Sequence, residues 1–217
     1  MAYNEMQSVW NEHLAARCRA AANALTKRGF DARAVASAEE ASREVLAIFP
    51  PDVAVGCGGS VTVRQIGLLD RLRERGNRVV AHEQGMEPVE ALAIRKEAVT
   101  CPCFLASANA VTLEGEIMNV DGIGNRVAGT IFGPSTVVIV AGANKIVEDL
   151  AAARTRIREY AAPANARRLG IAVPCVEAGH CLDCVSEASI CRVSVIMHRP
   201  PGLTDVKVIL VAQELGF

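Results

Sequence analysis

Four cysteines, Cys175, Cys181, Cys184 and Cys191, follow a C-x5-C-x2-C-x6-C spacing near the C-terminal end of the chain. In a Cys-x-x-Cys turn two thiolates converge on one ion or cluster, and the flanking pair can complete a four-thiolate shell. Tetrahedral zinc and an iron-sulfur cluster, a 4Fe-4S cluster included, both satisfy that donor set. His180, a usual zinc partner, stands beside a shell already complete without it, which tilts the expectation towards iron and sulfide. The alternative is a zinc knot that ties down a loop with no core of its own. Cys101 and Cys103 form a second close pair, but they lead into the apolar Phe104-Leu105-Ala106 and read as core residues, as does Cys18.

Three further groups carry oxygen and nitrogen chemistry. The loop Gly56-Cys57-Gly58-Gly59-Ser60, with Thr62 two residues on, joins an expected strand to an expected helix. Glycines let a backbone approach a ligand, exposed amides favour an anion, and the hydroxyls of Ser60 and Thr62 add donors. No Gly-Lys-Ser/Thr follows, and Val61 stands where a dinucleotide fingerprint has its third glycine, so a phosphate or carboxylate is expected rather than a nucleotide. The second group is Asn119, Asp121, Asn125 and Arg126, in which Arg126 could clamp an anion and Asp121 could orient a hydroxyl or pair with Arg126. The third is Asn144-Lys145, directly after the most apolar run of the chain, where ligands of open α/β sheets gather. Glu83 and Asp121 are the candidates for general acid or base. His13, His82 and His198 have no spaced partners.

The elements that would hold these groups can be read from periodicity. Helices are expected over residues 6–28, from a capping box at Ser37 and Glu40, over 61–75, 88–99, 125–132 and 147–160. Strands are expected over 30–35, 52–56, 78–81, 104–107, 110–113, 117–120, 136–141 and 206–211. Strands alternating with helices predict an α/β fold, a mostly parallel central sheet flanked by helices, with a short antiparallel insertion. Residues 174–202, rich in Cys, Gly and Pro, read as a cysteine-rich loop module inserted into one domain spanning 1–217.

Composition narrows the classes. Of 217 residues 51% are hydrophobic and only 4% aromatic, so the core must be built from Ala, Val, Ile and Leu. A net charge of −1 without a dense basic block disfavours nucleic acid. The longest apolar run, Thr136 to Ala143, is far too short for a membrane span, and Glu5, Glu12 and His13 stand where a signal peptide would be apolar. A cytoplasmic protein is expected. A strongly apolar, aromatic-poor chain also suggests a homo-oligomer.

Four blocks carry a resemblance: GCGGSVTVRQIG at Gly56–Gly67, NAVT at Asn109–Thr112, NVDGIGNRV at Asn119–Val127 and FGPSTVVIVAGANKIV at Phe132–Val147. The sequence resembles the LUD-domain family, named for lactate utilisation, from about residue 6 to Phe217. The tail, with YAAPANARRL and the spacing of Cys181 and Cys184, is similar to a cysteine-bearing branch of that family. The resemblance implies a fold like those of ribose-5-phosphate isomerase and the coenzyme A transferases, and a role beside iron-sulfur proteins in oxidising L-lactate to pyruvate. The chain lacks the ferredoxin-like C-x2-C-x2-C-x3-C-P repeats of the larger partner in such systems. The leading expectation is an accessory or redox component of lactate or related organic-acid utilisation. In it the loop at Gly56, Gly58, Gly59 and Ser60, with Arg126 and Lys145, holds a small anion, and the four cysteines hold a metal or cluster. The alternatives are an enzyme acting on a phosphorylated sugar or acyl-CoA substrate through Glu83 or Asp121, and a zinc-stabilised, non-enzymatic regulatory subunit.

Overall fold

The computed structural model describes residues 3–217, with side chains from Glu5 onwards. The chain begins with α1 (Tyr3–Lys27), whose Leu14, Cys18, Ala21, Ala22 and Leu25 recur at helical spacing and are all buried. After Gly29, in the left-handed region at φ +97°, come β1 (Asp31–Val35) and α2 (Ala38–Ile48). The capping box forms: the Ser37 hydroxyl accepts from the Glu40 amide, and the Glu40 carboxylate accepts from the amide of Ala36. Then follow β2 (Val55–Cys57), α3 (Val61–Gln65), α4 (Leu68–Glu74), β3 (Val79–Ala81), α5 (Pro88–Ala98), β4 (Cys103–Ala106), β5 (Ala110–Thr112) and β6 (Ile117–Asp121). The rest of the chain supplies α6 (Asn125–Ile131), β7 (Thr136–Gly142), a 3-10 turn (Ala143–Lys145), β8 (Ile146–Val147), α7 (Leu150–Arg156), a π turn (Ile157–Ala161), α8 (Ala162–Leu169), α9 (Pro174–Ala178), β9 (Val193–Met197) and β10 (Asp205–Val211).

Six strands form a wholly parallel sheet in the order β1-β10-β7-β4-β2-β3. Both faces are covered, which is why β7 reads as a continuous apolar run. Its Val137, Ile139 and Ala141 pack with Leu14, Cys18 and Leu25 of α1, while Val138 and Val140 pack with Ala41, Val45 and Phe49 of the α2 segment and Leu68 and Leu72 of α4. The other four strands form a smaller sheet, β8-β5-β6-β9, in which β6 runs antiparallel to β5 and β9. The expected mostly parallel α/β sheet with an antiparallel insertion is therefore what the chain forms, and no described helix is long and apolar enough to cross a membrane.

Three expectations need correction. The helix expected over 61–75 is two helices, because Gly67 adopts φ +67° and breaks the run between α3 and α4. The helix expected to end at Tyr160 continues through the π turn to Leu169, where Gly170 at φ +67° stops it. Residues 174–202 are not all loop, since α9 lies within them and β9 pairs with β6 from Ile117↔Met197 to Asp121↔Val193.

Topology fixes where a ligand would sit. From β2 the chain crosses outwards to β3, whereas from β4 it leaves in the other direction, towards β7. Strands whose connections diverge leave a crevice at their carboxyl ends. Two passages from the large sheet to the small one start beside it: Ser107-Ala108-Asn109 between β4 and β5, and the 3-10 turn between β7 and β8.

Candidate functional site

A cleft of about 220 Å³ opens at this point. It has room for a few carbons with their waters, one water occupying roughly 30 Å³ of liquid. Its lining brings together Gly59, Ser60, Asp121, Asn125, Arg126 and Lys145 from the three sequence groups, and adds Ser107, Asn109, His82, Arg95, Arg168 and Cys191.

Lys145 is the centre of the arrangement. The 3-10 turn after β7 carries it into the interior, where it is 4% exposed. Its Nζ donates to Thr62 Oγ1 at 2.8 Å and to Ser107 Oγ at 3.0 Å, both neutral hydroxyls. No carboxylate pairs with it among the described residues. Burial, then the charges of Arg156 and Arg126, bring its pKa down from 10.5 to about 7. Thr62 is held in turn by a hydrogen bond to the Leu215 carbonyl at 3.3 Å.

Arg126, at the start of α6, is directed inwards. Its guanidinium donates to Asn119 Oδ1, to Asn109 Oδ1 at 3.0 Å and to the carbonyls of Val120 at 2.6 Å and Ser107 at 3.4 Å. Asn109 and Asn119 clasp each other's segments: the Asn109 amide donates to Asn119 Oδ1, and the Val120 amide to Asn109 Oδ1. Burial lowers the Arg126 pKa and the charge of Asp121 opposes the fall, but an arginine keeps its proton. With so many donors committed, Arg126 contributes a fixed positive charge to the cleft wall rather than a free two-pronged clamp.

The two acid-base candidates are otherwise engaged. Asp121 accepts from the amides of Ile123, Gly124 and Val127, which fastens the start of α6. Glu83 is partly exposed, pairs with Arg64 at 2.7 Å and Arg73 at 3.4 Å, and does not line the cleft. Asn144 turns away from the cleft: its side chain accepts from the Leu215 amide and donates to the Gly216 carbonyl, pinning the C-terminal residues. The glycine loop divides its roles. A Cβ at Gly56 would run into the Ala98 carbonyl, and one at Gly58 would lie 2.9 Å from Cβ of Arg126, so these glycines admit neighbouring elements. Of the three, Gly59 alone lines the cleft. Ser60 caps α3 through the Val63 amide, and that helix, at five residues, adds little dipole.

Besides Asn125, which the sequence marks, the cleft mouth carries donors that the sequence concealed. Arg95 lies on α5 with its Nε buried and without a partner, and Asn125 has no side-chain partner among the described residues. Arg168 on α8 is held by Asn165 Oδ1 at 3.0 and 2.8 Å. His82 is half-buried, and burial, followed by Arg95 and Arg64, lowers its pKa, so its imidazole is neutral at pH 7. Arg95, Arg126, Arg168 and Lys145 thus face one carboxylate side chain, Asp121, whose oxygens are taken. Positive side chains therefore outnumber negative ones in the lining of the cleft.

Cys191 joins this cleft to the cysteine array. Its thiol is pushed up to about 11 by burial and then by the charges of Cys181, Cys175 and Cys184, and Cys175 is likewise raised by burial, Cys184 and Cys181. The four sulfurs are therefore electrostatic neighbours. The Asp183 amide donates to Cys181 Sγ at 3.3 Å, and Asp183 takes φ +54° in the Cys-x-x-Cys turn. The donor chemistry fits a thiolate-bound metal or cluster, although no three His, Cys, Asp or Glu side chains converge on one point among the described residues. Cys18, Cys57, Cys101 and Cys103 are buried in the core with raised thiol pKa values.

A doubly covered parallel sheet with a cation-lined cleft at a divergence of its strands defines a class of fold, and comparison with known proteins narrows it. The LUD-domain family model matches residues 18–211, and the chain belongs to that family. The solved structure of a DUF162 family protein from Deinococcus radiodurans superimposes with a TM-score of 0.53 at 14% identity, covering 91% of this chain and 98% of that one. The likeness shows a shared fold. A comparison with curated proteins gives no match.

Proposed function

We propose that this protein is an accessory component of L-lactate or related organic-acid utilisation, and that it binds a small carboxylate in the cation-lined cleft. The observation that carries the reading is Lys145, a buried ammonium in the wall of the cleft that has, among the described residues, hydroxyl partners and no side-chain counter-ion. A bound carboxylate supplies the missing negative charge, while the unpartnered Arg95 Nε and the Asn125 amide offer it hydrogen bonds. Membership of a family named for lactate utilisation supports the substrate class.

In the same reading Cys175, Cys181, Cys184 and Cys191 hold an iron-sulfur cluster or a zinc ion. When bound, a cluster supplies one-electron exchange with an iron-sulfur partner protein, whereas zinc supplies only a fixed loop.

Calorimetric titration with L-lactate and with pyruvate tests the cleft. Arg95→Gln should weaken binding by about tenfold, the size of one lost charge-assisted hydrogen bond of about 1.4 kcal/mol. Absence of heat with either acid at millimolar concentration would refute carboxylate binding. Anaerobic purification followed by absorption spectroscopy and analysis for iron, sulfide and zinc tests the cysteines, and metal content should vanish in the Cys181→Ala, Cys184→Ala double variant.

A further inference from the structure

The chain contains four lysines, and they differ sharply in surroundings. Lys27 and Lys96 are exposed, and Lys207 is paired with Asp31 at 2.9 Å and Asp205 at 3.0 Å. Lys145 is buried beside a cleft and has no acidic partner among the described residues. The groups that face it are Arg126 from α6, Arg156 from α7, Thr62 from α3 and Ser107 after β4, and none of them stabilises its ammonium as a carboxylate would. A large part of its population is thus an unprotonated amine near pH 7, the nucleophilic form. Two hydroxyls within 3.0 Å of that nitrogen can pass protons.

We propose that Lys145 is a covalent capture site for a 2-oxo acid, forming an imine with its ketone carbon. The inference rests on the carboxylate-binding reading and adds to it a bond that a 2-hydroxy acid cannot make. With the carboxylate held towards Arg95 and Asn125, the Lys145 nitrogen attacks the ketone carbon. A C–N bond forms, and the carbonyl π pair moves to oxygen, which takes a proton relayed through Ser107 or Thr62. The amine then loses its protons, the hydroxyl leaves as water, and a C=N bond remains. Amine and ketone give imine and water, with no oxidant or reductant consumed. The same imine acidifies the hydrogens on the carbon next to it, so it exchanges the methyl hydrogens of pyruvate with solvent.

The test uses the full chain with pyruvate and borohydride, which reduces an imine to a stable secondary amine. Peptide mass spectrometry should find one reduced pyruvyl adduct on the peptide containing Lys145 and none on peptides containing Lys27, Lys96 or Lys207. L-Lactate should give no adduct, and neither should Lys145→Arg, which keeps the charge but not the nucleophile. If Lys145→Arg does not fold, the peptide map of the unaltered protein decides alone. Calorimetric binding of pyruvate without an adduct at Lys145 would overturn the imine and leave the carboxylate site standing. Adducts spread over the exposed lysines would overturn it equally. Failure of both binding and trapping would overturn both readings.

Discussion

Replacing Lys145 by Met should remove a pH dependence of stability that one buried ammonium imposes. The unfolded chain holds this lysine at its ordinary 10.5, and the native protein at about 7. A cation whose pKa is depressed by folding works in the opposite sense to an ion-paired lysine. Between the two values the unfolded state binds more protons than the native one, so stability rises with pH across that window. Below about pH 7 both states are protonated, and the native state bears the full cost of burying the charge. At one pK unit per roughly 1.4 kcal/mol the whole window amounts to on the order of 5 kcal/mol, of which about 2 kcal/mol is recovered between pH 7 and pH 9. Arg126 and Arg156 stay charged throughout, so they do not blur the transition. Urea unfolding of the unaltered protein and of Lys145→Met at pH 7, 8 and 9 measures it, because titrations common to both cancel in the difference. The advantage of the Met variant should shrink by about 2 kcal/mol from pH 7 to pH 9. Parallel stability curves would refute the reasoning, since they would mean that the native ammonium is solvated or neutralised.

Other outcomes follow from the same geometry. L-Lactate, which has no ketone, should bind less tightly by about tenfold between pH 7 and pH 8.5, as Lys145 loses the proton that attracts it; calorimetry in buffers of matched ionic strength measures this. Asp121→Ala deprives three backbone amides at the start of α6 of their acceptor and should cost about 2 kcal/mol in urea unfolding, with Asp121→Asn recovering part. Gly56→Ala drives a methyl group into the Ala98 carbonyl and should cost about 1–3 kcal/mol by the same assay.

Much of this architecture is legible in the chain itself, and the illegible parts have physical causes. The β-branched run of β7 and the Ser37/Glu40 box are local signals, and they form the expected elements. The break at Gly67 is hidden because Ile66, Leu69 and Leu72 keep a helical period across it. Strand β9 is hidden because Val193 and Ser194 are exposed and the strand is completed by pairing with β6, a partner more than 70 residues away. In the site, Thr62, Arg126 and Lys145 each lie in the helical turn that comes next after a strand, and that placement marks them. Arg95 and Arg156 do not stand out, because a helical arginine reads as part of a solvated face until the packing of α5 and α7 shows where it points. Ser107 is one hydroxyl after a strand, given meaning only by the lysine that reaches it from another strand. The same distance effect turns Asp121 and Glu83 from candidate acids into a helix fastener and a surface ion-pair partner.

The π turn between α7 and α8 widens the wall of the cleft, to which it contributes Ile157 and Ala161. Arg156, just before it, acts on the lysine at the floor, whereas Asn165 and Arg168, beyond it, stand at the mouth. A π turn is one residue wider than an α turn, so the extra residue is taken up within the turn, and its loss would restore an α turn with α8 kept on the same face. Such a deletion would draw in the wall that Ile157 and Ala161 form, while leaving Asn165 and Arg168 facing the cleft and Lys145, Thr62 and Ser107 untouched. Within a lineage, a single-codon loss or gain here is a ready route to a new choice of guest with unaltered chemistry at the floor.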